Sequence, residues 1–262
     1  MDQEKGERGA TGSQTLQRGL DVLHVVANGS ATLAELASQL GLSRSTTHRL
    51  ANALLERRYL TLAPGRGYQL GPKLLELGYQ AQTQTDLMAL AHPVLADLSE
   101  QTGLPSFLGR RDDDHSLNLL SVPGRQRVAV ITPVGTRRRL AETSLGKALM
   151  LDDTPAEWKR HFAAADPAHC PPDWQAAMER SVAENVVLHA GPPPDHVRAI
   201  ATPVRDFSGK IVAGISMVTV SQYLKTEELA HLAPQLKEAG QKISAQLGHR
   251  QDRETSGKRK AP

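Results

Sequence analysis

Two short helices separated by a glycine turn, with a hairpin close behind them, constrain this chain more than any other feature. Thr32 stands before Leu33-Ala34-Glu35, the T-x-x-E spacing in which a threonine hydroxyl and a glutamate carboxylate satisfy each other's backbone N–H groups at a helix start. Leu33, Leu36, Ala37 and Leu40 then repeat at helical spacing, and Gly41 occupies the position where a left-handed residue ends a helix. Leu42 follows, and Ser43 caps a third helix expected to run to about Arg57. That is a helix-turn-helix. Upstream, Leu16, Leu20, Leu23 and Ala27, widened by Val22 and Val26, predict a supporting helix that ends at Asn28-Gly29-Ser30. Downstream, Tyr59–Leu62 and Tyr68–Leu70 flank Ala63-Pro64-Gly65-Arg66-Gly67, which reads as strand, turn, strand: a wing with a cationic tip.

The third helix separates into two faces at 100° per residue. Leu50 and Leu54 define the buried stripe, with Thr46 and Ala53 near the same side, while Arg44, Ser45, His48 and Asn52 point away and Arg49 lies on the flank. The outward side chains are donors suited to phosphates and base edges. The expected DNA contacts are Ser43, Arg44, Ser45, Thr47, His48, Arg49, Asn52 and, from the wing, Arg66. The distribution of charge supports them. Net charge over the whole chain is only +3, yet residues 15–73 hold seven bases against three acids. A protein-docking use of the same helices and hairpin stays open at this point.

Three stretches together resemble the IclR family of bacterial transcriptional regulators. The first is Leu33-Ala34-Glu35-Leu36-Ala37 with Gly41 to Leu50 and Glu56-Arg57-Arg58-Tyr59-Leu60; the second is Leu140-Ala141-Glu142-Thr143-Ser144-Leu145-Gly146-Lys147-Ala148-Leu149. The third is Ala199 to Asp206 with Gly209 to Ser216. The resemblance spans about residues 15 to 220 and implies a GAF-like effector domain behind the DNA-binding module. It also implies dimers through the N-terminal module and tetramers through the effector domains, so a homodimer or homotetramer on a palindromic operator is expected.

By position, the resemblance implies a pocket for a small organic or aromatic acid using Ser144, Leu145 and Gly146, then Ala199, Ser216 and Val218. Backbone N–H groups at the start of the Ser144 helix suit an anion. An acidic stretch usual in the family before the Ala199 strand is replaced here by His189-Ala190-Gly191-Pro192-Pro193-Pro194-Asp195, so His189 or Asp195 takes its place. The pocket is expected to be less polar than in members sensing the smallest acids.

The second half otherwise reads as strands around Ser106–Arg110, Asn118–Val122 and Val128–Thr132, then helices at about Ser144–Leu151, Pro155–Ala164 and Trp174–Ala183. Strands return at Asn185–His189, Ala199–Val204 and Lys210–Val218, before a final helix from Thr226 to Leu247. Strands and helices in groups give an α+β domain with a largely antiparallel sheet flanked by helices. The expected organisation is a disordered leader, 1–14; the winged helix-turn-helix, 15–73; a linker helix, 74–91; the effector domain, 92–249, opened by Pro93; and a disordered tail, 250–262.

Catalytic patterns fail. The phosphate-loop motif around Gly146-Lys147 would need glycine at Ala141 and Ser or Thr at Ala148. The histidines form no H-E-x-x-H or Cys/His cluster, and there is no G-x-S-x-G elbow, so no catalytic residue, metal or cofactor is expected. An enzyme acting on a small acid, with an accessory DNA-binding domain, is the alternative. Cys170 is the only cysteine, and no apolar run approaches the about 18 residues of a membrane helix. The expected compartment is the cytoplasm, with no membrane partner. Aromatics are only 3% of the chain, so its core must be built from Leu, Val, Ile and Ala.

Overall fold

The computed structural model describes residues 4–127, 130–191 and 196–250, with backbone alone for 4–13 and Gln82. Met1–Gln3, Val128, Asp195 and the tail beyond Arg250 lie outside the described residues. The chain divides into two compact units, Met1–Thr85 and Asp86–Pro262.

The first unit runs α1 (Glu4–Ala27), α2 (Leu33–Leu40), α3 (Arg44–Glu56), β1 (Leu60–Ala63), β2 (Gly67–Leu70) and α4 (Pro72–Gln84). The caps are those the residues predict. Thr32 donates its N–H to Glu35 Oε2 at 2.7 Å, and Thr32 Oγ1 accepts from the Glu35 N–H at 3.3 Å. Gly41 adopts φ 61° and ends α2, while Ser43 Oγ accepts the Thr46 N–H to start α3. Pro72 opens α4, where its missing N–H costs nothing.

Val22, Val26, Leu36, Leu50, Ala51, Leu60 and Tyr68 form the core. Each fully buried branched side chain contributes roughly 2 kcal/mol of transfer free energy. The hairpin is fastened to the α1–α2 connection: Tyr68 donates to the Ala31 carbonyl at 2.8 Å and Ala31 returns a bond to Tyr68 at 3.1 Å. Gly67 makes this possible, since a Cβ there would stand 2.4 Å from the Ala31 oxygen.

Three expectations in this unit are corrected. The backbone is already helical from Glu4 onward, where a structureless leader to residue 14 was expected. The inward stripe of α1 is Val22 and Val26, while Leu16 and Leu20 are largely exposed. In α3 the buried face is Thr47, Leu50 and Ala51, whereas Ala53 is exposed.

The expected 74–91 linker helix is two helices. Helix α4 ends at Gln84, and Asp86 takes an extended conformation to cap α5 (Leu87–Thr102), accepting from the Met88 and Ala89 N–H groups at 2.9 and 3.2 Å. Pro93 therefore lies inside α5 rather than at its start, forgoing a bond to the Ala89 carbonyl.

The second unit continues with β3 (Ser106–Asp112), β4 (His115–Val122), β5 (Arg137–Arg139), α6 (Ser144–Ala148), α7 (Pro155–Ala164), α8 (Trp174–Glu184), β6 (Val187–Ala190), β7 (Val197–Arg205), β8 (Ile211–Val220), α9 (Thr226–Ala230) and α10 (Ala233–Gln246). Its six strands make one antiparallel sheet in the order β5-β4-β3-β8-β7-β6. One apolar cluster joins it to α5, α9 and α10 through Leu95, Leu108, Ile215, Leu229, Leu236 and Ile243. A second joins it to α6, α7 and α8 through Leu145, Met150, Trp158, Phe162 and Met178. Helices thus flank both faces, as an α+β sandwich requires.

Two further expectations change. Residues 130–132 are not a strand: Asn118 Nδ2 and Ser121 Oγ each donate to the Thr132 carbonyl at 2.8 Å, satisfying it from side chains, and Pro133 follows without an N–H. The edge strand is instead β5, where Arg138 pairs with Ser116. The single final helix is split at His231-Leu232, because Pro234, in the first turn of α10, has no N–H to bond the Ala230 carbonyl and its ring crowds that oxygen.

Candidate DNA-reading face and effector cavity

On α3, Arg44, Ser45, His48 and Arg49 are exposed along one side and Asn52 is half-buried beside them. The Asn52 amide lies 3.4 Å from the His48 ring nitrogens, so these two side chains share one patch. Arg66 is exposed at the wing turn, between Gly65 at φ 72° and Gly67 at φ 83°. Among the described residues, Arg44, Arg49 and Arg66 have no ion-pair partner, which leaves their guanidinium groups for an external anion.

Thr47 does not belong to this face. It is fully buried and donates its hydroxyl to the Ser43 carbonyl at 3.0 Å, because it lies three residues before Leu50 on the inward side. Ser43 is exposed, but its hydroxyl is engaged as the cap. Exposed Arg57 and Arg58, the latter at φ 62°, extend the basic surface past the end of α3; their charge was visible in the sequence but not their position.

In the second unit a cavity of about 720 Å³, its open mouth included, lies between the sheet and the segment leading into α6. The side-chain period of two builds its floor. Ser116 and Asn118 come from β4, Val197 and Ala199 from β7, and Ser216 and Val218 from β8. The register sets Ala199 opposite Val218, Phe107 opposite Ser216, and Arg138 opposite Ser116. Glu142, Thr143, Ser144 and Leu145 close one side, with His169 and His189 on another.

Segment α6 is held close by paired glycines. Gly109 and Gly214 face each other on β3 and β8, and Leu145 enters the dent they leave, within 2.6 Å and 3.1 Å of where their Cβ atoms would be. Of the pocket residues named from sequence, Ser144, Leu145, His189, Ala199, Ser216 and Val218 line the cavity. Gly146 does not: its N–H donates to Thr143 Oγ1 at 2.9 Å, and its missing side chain lets the Leu140 backbone approach. The N–H expected to meet an anion is therefore already used. Asp195 is outside the described residues.

The sequence reading missed Asn118, Arg138 and His169. Asn118 was buried in a strand without a motif, and Arg138 required knowing that β5 exists. Arg138 lines the cavity without an ion-pair partner among the described residues. Asn118 donates through Nδ2 to the Thr132 and Pro133 carbonyls, whereas its Oδ1 is buried and unpartnered, as is His169 Nδ1. Such orphaned atoms are costly unless a ligand or water meets them.

Behind this wall Lys147 Nζ lies 3.1 Å from His189 Nδ1, with both residues more than nine-tenths buried. Burial first, then the Lys147 charge, pushes His189 down to about 3, so its ring is neutral and accepts from the ammonium. Burial likewise lowers Lys147 to about 8. No group of three metal-ligating side chains occurs among the described residues, and no helix among them is long and apolar enough to cross a membrane.

Residues 15–64 match the family model described as the IclR helix-turn-helix domain, and residues 79–245 match that described as the bacterial transcriptional regulator IclR C-terminal domain. The DNA-binding transcriptional repressor YiaJ of Escherichia coli is 30% identical, covering 95% of this chain and 92% of that protein. The regulator XynR of the same organism is 27% identical over 90% of this chain and 98% of its own length. Among solved structures, the repressor BlcR of Agobacterium tumefaciens superposes with a TM-score of 0.71 at 22% identity, covering 90% of this chain and 98% of that one. HmgR of Pseudomonas aeruginosa gives 0.69 at 25% identity, with the same coverage.

Proposed function

Since this chain belongs to the IclR family of bacterial transcriptional regulators, we propose that its DNA affinity is controlled by a small organic acid held in the cavity of the second unit. The chain is a DNA-binding transcriptional regulator rather than an enzyme. Its reading face is Arg44, Ser45, His48, Arg49 and Asn52 on α3, with Arg66 of the wing on the DNA backbone or minor groove. It works as a homodimer or homotetramer on a palindromic operator, since two-fold proteins meet two half-sites about one helical turn apart. Repression is the favoured mode, in line with the names of YiaJ and BlcR.

The observation that carries the effector reading is the pairing, in one cavity, of an apolar body with unmet polar groups. Phe107, Leu145, Val197 and Val218 supply the apolar wall, while among the described residues Arg138 makes no ion pair and Asn118 Oδ1 meets no donor. A carboxylic acid bearing a hydroxyl or N–H group meets both needs: its carboxylate faces Arg138 and its donor faces Asn118. Ligand binding acts on DNA only through its different affinity for the DNA-competent and incompetent states.

Calorimetry with a panel of hydroxy-substituted organic acids and their neutral amides tests the reading. Acids should bind and amides should not, and Arg138→Gln should weaken the acids about tenfold, the 1–2 kcal/mol of a charge-assisted hydrogen bond. Equal binding of an acid and its amide would contradict it.

A further inference from the structure

A second cavity lies behind the first. It measures about 710 Å³ with its open mouth and is lined by Lys147, Phe162, His169, Trp174, Met178 and His189 among others. Its features are those of an unfilled ion pair. The Lys147 ammonium has three donors. One meets the neutral His189 ring at 3.1 Å, and the nitrogen lies 5.6 Å from the centre of the Phe162 ring. No carboxylate pairs with it among the described residues. A buried cation without a counter-charge is strongly unfavourable, and proteins ordinarily pair it.

The rest of the cavity specifies what the missing anion carries. Phe162 and Trp174 stack face to face with centroids 4.3 Å apart and an 18° interplanar angle, so Phe162 is buried and the half-buried Trp174 is the aromatic surface toward the cavity. Met178 and Val187 add apolar surface, and His169 borders the cavity. We propose that this second cavity is a second ligand site, for an aromatic carboxylate whose acid group pairs with Lys147 and whose ring lies against Trp174. The site is distinct from the outer cavity and shares only the wall residues His169 and His189 with it. Because His189 Nδ1 accepts from Lys147, its other ring nitrogen carries the proton, so an anion that draws Lys147 away frees His189 toward either cavity. The two sites are therefore coupled through that one side chain.

Benzoate is the probe, titrated into the full-length protein while tryptophan emission is read. Trp174 lies in the inner wall and Trp158 is the only other tryptophan. Saturable quenching is expected in the wild type, weakened at least tenfold by Lys147→Met and changed less than twofold by Arg138→Gln, with benzamide inert. Ala177→Phe, which fills the rim of this cavity and leaves Lys147 in place, should also lose the quench, so the test stands even if Lys147→Met folds poorly. Undiminished quenching in folded Lys147→Met or in Ala177→Phe would overturn the proposal. So would a quench abolished by Arg138→Gln and untouched by Lys147→Met, which would assign benzoate to the outer cavity alone. Failure of the outer-cavity reading would instead leave this signal intact.

Discussion

Mild acid should weaken the second unit chiefly through His189, with His161, also held down by burial, adding in the same direction. The His189 ring is neutral in the folded state because burial, and then Lys147, His169, Arg138 and Arg198, hold it down to about 3 from an ordinary 6.5. The sign follows from proton uptake. Above pH 6.5 neither state binds the proton; between 6.5 and 3 the unfolded chain binds it and the folded protein does not, so stability falls as pH falls. Each pH unit in that window costs about 1.4 kcal/mol, and the whole window on the order of 5 kcal/mol.

Urea unfolding read by tryptophan fluorescence isolates the effect, since Trp158 and Trp174 both lie in the second unit. His189→Gln keeps an acceptor for Lys147 and removes the titration. The stability difference between wild type and variant should shrink by about 1 kcal/mol for each unit between pH 6 and pH 4. Carboxylates and His161, which titrate in both proteins, cancel in that difference. A difference independent of pH would refute the reasoning, because it would mean that His189 accepts its proton without leaving the fold.

Three further outcomes follow from the first unit. Gly67→Ala should destabilise it by at least about 2 kcal/mol, since the residue sits at φ 83° and its Cβ would meet the Ala31 carbonyl; hydrogen exchange at Ala31 and Tyr68 reports the loss. Thr47→Val should lower stability by about 1 kcal/mol through the lost bond to Ser43 while leaving the DNA sequence preference of the folded protein unaltered, checked by thermal unfolding and anisotropy on duplexes. Arg66→Ala should weaken DNA binding modestly and uniformly across sequences and reduce the salt slope by about 1, measured by titration at several salt concentrations.

The first unit was more legible in the sequence than the second because its punctuation is local. The Thr32–Glu35 box, Gly41 and Ser43 each state a boundary within four residues, and the structure keeps all three. What went astray there was phase. Thr46 and Thr47 are alike in type, as are Ala51 and Ala53, so which member of each pair turns inward is decided by packing against Val22, Leu36 and Leu60. In the second unit, strand-pairing chemistry misled: Val128–Thr132 has strand composition, yet Asn118 and Ser121 satisfy Thr132 in place of a ladder. Arg138 and Lys147 could not be read as cavity residues at all. Their meaning depends on partners far away in sequence, Ser116 for one and His189 for the other.

Selection of duplexes from a randomised pool, by wild-type protein and by Arg44→Ala and His48→Ala, tests most directly whether the exposed side of α3 reads DNA. Wild type should enrich one two-fold-symmetric sequence with half-sites about ten base pairs apart, or a multiple of that spacing. Each substitution should relax the preference at particular positions by about 1–3 kcal/mol while sparing salt-dependent nonspecific binding. Enrichment of the same sequence with the same affinity by both variants would contradict the assignment.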